Sequence, residues 1–96
     1  MFARLVKVRM RPGSRYLAER LAGRWTAGVA TLPGFVSVSF FLDDELGEYG
    51  YYSVWQTRAA AHDVIDEMGE QVADALAEVA LGETEVRIYG VYTPPA

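Results

Sequence analysis

Apolar and polar positions alternate along four stretches of this chain and recur every third or fourth residue along two others. From Phe2 to Arg11, Phe2, Val6, Val8 and Met10 fall on one side of an extended strand, and Leu5, Lys7, Arg9 and Arg11 on the other. Pro12-Gly13 breaks that strand, because proline brings no N–H to a ladder. Ser14 then offers an N-cap, with an incomplete capping box since Leu17 stands where an acid is expected. Leu17, Leu21, Trp25 and Val29, flanked by Ala18 and Ala22, draw one stripe along a helix over about 15–32. Arg15, Glu19, Arg20 and Arg24 stay off the stripe, and Pro33-Gly34 stops the helix.

A second strand is expected over 35–43, with Val36, Val38, Phe40 and Leu42 alternating against Ser37 and Ser39. The short acidic run 43–47 ends in Gly47 and suits a hairpin connection to a third strand over 48–56. Thr57 caps a second helical region. Its stripe is Ala60, Ala61, Val64, Ile65 and Met68, continued by Val72, Ala75, Leu76 and Val79, with a break expected at Gly69. Its other face is acidic, with Asp63, Asp66, Glu67, Glu70, Asp74 and Glu78, and Gly82 is a natural residue just past its end. A last strand runs over about 84–92, with Val86, Ile88 and Tyr92 opposite Arg87, Tyr89 and Val91.

The order β-α-β-β-α-β defines an α+β, ferredoxin-like fold with an antiparallel sheet and both helices on one face. The second face of the sheet then lacks cover within the chain. A second copy supplies it most economically, so a homodimer with closed two-fold symmetry is expected.

The chain's 96 residues make one domain, 1–96, with a thin core. There is no cysteine to reinforce that core. The absence of a long apolar run and of a signal-peptide pattern predicts a cytoplasmic protein without a membrane span. The net charge of −4 conceals a split: residues 1–34 carry seven basic groups against Glu19 alone, and residues 35–96 carry two against twelve acids. The basic groups are interleaved with apolar core positions rather than gathered in an arm, so charge pairing within or between subunits accounts for them better than nucleic-acid binding.

Candidate chemistry centres on the third strand, where three tyrosines and a tryptophan fall within seven residues. Alternation puts Tyr49, Tyr51, Ser53 and Trp55 on one face and Tyr52 and Val54 on the other. Aromatic rings carrying hydroxyls around a cavity can hold a flat aromatic molecule and orient it, although filling core and interface is the plainer role for such residues. Trp25 on the first helix and Arg9 on the first strand are candidate additions to that wall, with Arg87 and Tyr89 as further polar partners. His62 is the sole imidazole; it is a candidate base, but an ion pair with Asp66 one helical turn on explains it more simply. One histidine and no cysteine argue against a metal or haem site, and no phosphate loop or nucleophile motif is present.

The strand ending Arg11-Pro12-Gly13, the turn Leu32-Pro33-Gly34-Phe35, and Tyr51-Tyr52-Ser53-Val54-Trp55-Gln56-Thr57 before an alanine-rich helix resemble the antibiotic biosynthesis monooxygenase (ABM) domain. The resemblance spans nearly the whole chain and implies a dimeric α/β barrel with a pocket in each subunit between sheet and helices. It also implies a range of activities, among them cofactor-independent oxygenases acting on quinol-type aromatics and haem-degrading enzymes. Trp55 matches the family tryptophan at the end of the third strand. The haem-degrading pattern is not met: Val64 and Ile65 stand where its tryptophan belongs, Asp74 lies near the place of its histidine, and His62 comes too early. The expectation is therefore a cofactor-independent monooxygenase with a small aromatic or quinol-like substrate, the alternative being a non-enzymatic dimeric module that binds a ligand or a protein.

Overall fold

In the computed structural model of the chain, the alternating stretches become β1 (Phe2–Arg9), β2 (Phe35–Asp43), β3 (Glu48–Trp55) and β4 (Glu85–Gly90), and the first striped stretch becomes α1 (Arg15–Val29). The structure describes residues 1–63, 74 and 76–95. A second helical segment begins at residues 58–63, and Asp74 and Leu76 are also helical. The apolar positions Val64, Ile65, Met68, Val72 and Ala75, the acids Asp66, Glu67 and Glu70, and the break expected at Gly69 lie outside the described residues.

The four strands form one antiparallel sheet in the order β2-β3-β1-β4. This is the ferredoxin-like α+β arrangement, with β1 and β4 as neighbours. Register follows the alternation. Phe2, Val6 and Val8 stand opposite Trp55, Tyr51 and Tyr49, and Phe40 and Leu42 stand opposite Tyr51 and Tyr49 from the other side. One face of the sheet is thus continuous across three strands, and it receives the helices. Trp25 and Val29 of α1 pack there with Trp55 and Ala61, while Ala18 packs with Val8, Met10 and Tyr49.

Several boundaries moved for identifiable reasons. α1 ends at Val29, three residues early, and Gly34 takes a left-handed φ of +82°. A side chain on Gly34 would meet the Ala60 Cβ at 2.9 Å, so glycine is required on both counts. Ser14 holds the N-cap position, but its hydroxyl turns back to donate to the Arg11 carbonyl at 2.6 Å instead of capping the helix. Thr57 does cap: its Oγ1 accepts from the Ala60 N–H at 3.1 Å.

β2 departs from simple alternation. A register shift between Phe35 and Ser37 leaves Val36 exposed and turns Phe35 onto Trp55, with ring centroids 5.5 Å apart. A β-bulge adds one residue to one strand and so inverts parity beyond it. The inward place expected for Val36 therefore belongs to Phe35. β4 stops at Gly90, so Tyr92 lies beyond the sheet and is 81% exposed.

Candidate functional site

A half-enclosed cavity of about 70 Å³ lies between α1 and the sheet. Val6, Val8 and Met10 of the first strand and its extension form one side, Phe40 and Leu42 another, and Tyr49, Gly50 and Tyr51 the floor. Ala18, Leu21, Ala22 and Trp25 of α1 form the roof, with Leu76 at one end. The helical stripe and the strand alternation thus meet around a single space. Its enclosed volume holds a few waters, and one side opens outward.

The lining is almost wholly apolar. Trp25 lies over Tyr51 with centroids 4.2 Å apart and planes tilted by 34°, and Phe40 approaches both rings edge-on at 6.0 Å. Tyr49 turns its hydroxyl out of the cavity and donates to Asp44 Oδ1 at 2.8 Å. Arg15 Nη1 donates to the other oxygen of Asp44 at 3.1 Å, and Arg15 Nε to Glu19 at 3.2 Å. The β2–β3 hairpin is thereby tied to the first turn of α1. The Tyr49 hydroxyl is pushed above its ordinary pKa, chiefly by donating to Asp44, and Asp44 is held below the usual carboxylate range, chiefly by receiving that bond.

Beyond Tyr51 the same sheet face carries a charge. Arg4 is buried, with 5% of its surface exposed. Its Nη1 donates to the Ala61 carbonyl at 3.2 Å, and its Nε is buried without a partner among the described residues. Next to it, the Trp55 indole N–H donates to Ser53 Oγ at 2.9 Å, and the Ser53 hydroxyl reaches the Arg4 carbonyl at 3.5 Å. Burial pushes the Tyr51 hydroxyl above its ordinary pKa, while the Arg4 charge pulls the other way.

Of the residues singled out from sequence, Tyr49, Tyr51 and Trp25 line the cavity together. Trp55 does not reach it: fully buried, it belongs to the core behind, with Val29 and Ala61. Arg9 is exposed at the end of β1, because its position in the alternation places it on the face away from the helices. Arg87 is exposed beside Glu85, and Tyr89 is 52% exposed, for the same reason on β4. His62 is exposed on the second helical segment, its Nδ1 3.8 Å from Asp63 Oδ1, and does not line the cavity; the Asp66 partner expected for it lies outside the described residues. Arg4 was the residue missed. Its even position, in step with Phe2, Val6 and Val8, was the available signal.

No protein-family model matches the chain, and no curated protein matches it in sequence. Solved structures do match. A candidate antibiotic biosynthesis monooxygenase from Nitrosomonas europaea superposes with a TM-score of 0.83 at 13% identity, covering 99% of this chain and 93% of that one. SnoaB, a cofactor-independent oxygenase from Streptomyces nogalater, gives 0.77 at 19% identity over 97% and 94% of the two chains. Rv0793 from Mycobacterium tuberculosis gives 0.78 at 14% identity over 99% and 98%. At these identities the likeness is one of architecture, and it extends over both chains almost end to end. The chain has the fold of the antibiotic biosynthesis monooxygenase proteins.

Proposed function

We propose that this chain is a cofactor-independent monooxygenase for a small aromatic or quinol-like substrate held between the sheet and α1. The observation that carries the reading is the cavity itself, apolar in its lining, half open, and walled by the aromatic pair Trp25 and Tyr51. SnoaB, described as a cofactor-independent oxygenase, shares the fold and supports the reading. In such chemistry a substrate CH₂ activated by a phenolic ring loses a proton, and the resulting carbanion reduces dioxygen. A C–O bond forms to give a hydroperoxide, which loses water to leave a ketone. One oxygen atom ends on carbon and the other in water. The protein then has to orient the ring and exclude bulk solvent.

We further propose that the chain works as a homodimer. The face of the sheet away from the helices presents Leu5, Phe41 and Val54 partly buried, together with Tyr52 at 41% and Tyr89 at 52% exposure. The face also carries Arg9 and Arg87, so its apolar part forms an interface with a polar rim when a second sheet covers it. Light scattering at micromolar concentration is expected to give twice the chain mass; a monomer would sink the proposal.

Oxygen uptake with small phenols that carry a ring-activated CH₂ tests the activity. Uptake that falls in Tyr51→Ala is expected. One observation favours the alternative of a ligand-binding module without chemistry: among the described residues, Tyr49 and Tyr51 are the cavity's only titratable side chains. Thermal stabilisation by aromatic ligands with no oxygen uptake would establish that second reading.

A further inference from the structure

A guanidinium in a protein interior is normally paired with a carboxylate or has its donors satisfied, because an uncompensated buried charge is expensive. Arg4 departs from this rule. It is nine-tenths buried, its guanidinium donates to the Ala61 carbonyl and lies against the Tyr51 hydroxyl, and its Nε faces no acceptor among the described residues. Among the described residues no carboxylate lies within ion-pair distance of it. Such a group is a candidate for a role beyond packing.

Its place relative to the cavity is defined by the strand. Val6, the next inward residue of β1, lines the cavity, and Arg4 lies one inward step beyond, roughly 7 Å along the strand. Across the sheet Val6 is paired with Tyr51, and Arg4 with Ser53. Tyr51 therefore stands at the end of the cavity nearest Arg4.

We propose that Arg4 is the docking point for an oxyanion borne on the ring of the cavity's ligand, so that the ligand class is a small aromatic acid or an acidic phenol bound as its anion. The ring lies against Trp25 and Tyr51, and the charged oxygen accepts from the guanidinium, which faces no carboxylate among the described residues. This inference rests on reading the cavity as an aromatic-binding site. It adds that binding selects the charged form. A carboxylate and a phenolate share the needed chemistry, and the experiment separates them.

Calorimetric titration would compare benzoate with benzamide, which differ little in shape, on the wild-type chain and on Arg4→Met. A second arm would follow the visible absorbance of 4-nitrophenol across pH, where binding of the phenolate moves its titration to lower pH. In the wild type the anion of at least one arm is expected to bind about tenfold or more tightly than its neutral counterpart. Arg4→Met should bring that ratio close to one. A preference in the benzoate arm alone assigns a carboxylate, and one in the phenol arm alone assigns a phenolate. Benzamide binding as tightly as benzoate, with an unshifted phenol titration, overturns the Arg4 inference and leaves the cavity reading standing. No binding of any ring overturns the cavity reading itself. Should Arg4→Met fail to fold, the wild-type ratio decides alone.

Discussion

The Trp25 indole lies over the Tyr51 ring at 4.2 Å, so a single contact both holds α1 on the sheet and forms one wall of the cavity. Trp25 is 4% exposed, and its truncation removes most of the roof. Trp25→Ala is expected to cost about 3–5 kcal/mol of stability. Urea unfolding would measure this; a loss under 1 kcal/mol would mean that α1 is held by other contacts.

Ser53 is buried without exposed surface and accepts the Trp55 indole N–H. Replacing it by alanine leaves that donor buried and unpaired, which costs about 1–3 kcal/mol. Ser53→Ala should lower stability by that amount, while Ser53→Thr, keeping the hydroxyl, should lose less. Equal losses in both would refute the hydrogen-bond account.

Gly50 of β3, opposite Lys7 of β1, has no room for a side chain. A Cβ there would stand 1.9 Å from the Val6 carbonyl oxygen and 2.7 Å from the Phe41 ring. The backbone oxygen cannot yield as a side chain would. Gly50→Ala should therefore destabilise by at least the 1–3 kcal/mol usual for overpacking, and should broaden backbone amide signals of Val6 and Lys7 in NMR spectra. A fully stable variant would show that the two strands can separate at this point.

The Tyr49–Asp44–Arg15 link makes stability depend on pH at both extremes. Asp44 is held below the usual carboxylate range chiefly by the Tyr49 hydroxyl, so the folded state binds its proton less readily than the unfolded chain. Its contribution is present above the ordinary value of about 4 and is lost as pH falls through the lower, folded value. Tyr49 and Tyr51 are both raised, the first chiefly by its bond to Asp44 and the second chiefly by burial. Their contribution is full below about pH 10 and is lost as pH rises through the folded values. Tyr49→Phe should flatten both limbs of a stability–pH curve, and Tyr51→Phe the alkaline limb alone. An unchanged acid limb in Tyr49→Phe would rule out the link.

Most of the fold was legible because period-2 and period-3.6 patterns report which face of an element is buried. The cavity's aromatic wall was legible for the same reason: Tyr49 and Tyr51 share parity, and Trp25 lies on the helical stripe. What escaped depends on pairing between distant segments. The bulge at Val36 inverts parity locally, and nothing between Pro33 and Ser39 marks it. Arg4 has the parity of Phe2 and Val6, yet its charge argues for solvent, and only the neighbouring strands show that it is enclosed. Arg9 carries the same charge with the opposite parity and points away. Trp55 shares the parity of Tyr49 and Tyr51, which leaves open which face it takes; the structure turns it to the helices, and distance along β3 puts it behind the cavity.

β1 is bonded on both edges, with Phe2 opposite Trp55 on one side and Gly90 on the other. β1 therefore waits for partners that lie some fifty and nearly ninety residues further along the chain. Pairings so distant in sequence form slowly, since the intervening chain must be closed into a loop first. Until β3 is made, Phe2, Val6 and Val8 have no sheet to join. A central strand early in the sheet's order of synthesis thus ties completion of the sheet to its most distant pairing, that of β1 with β4.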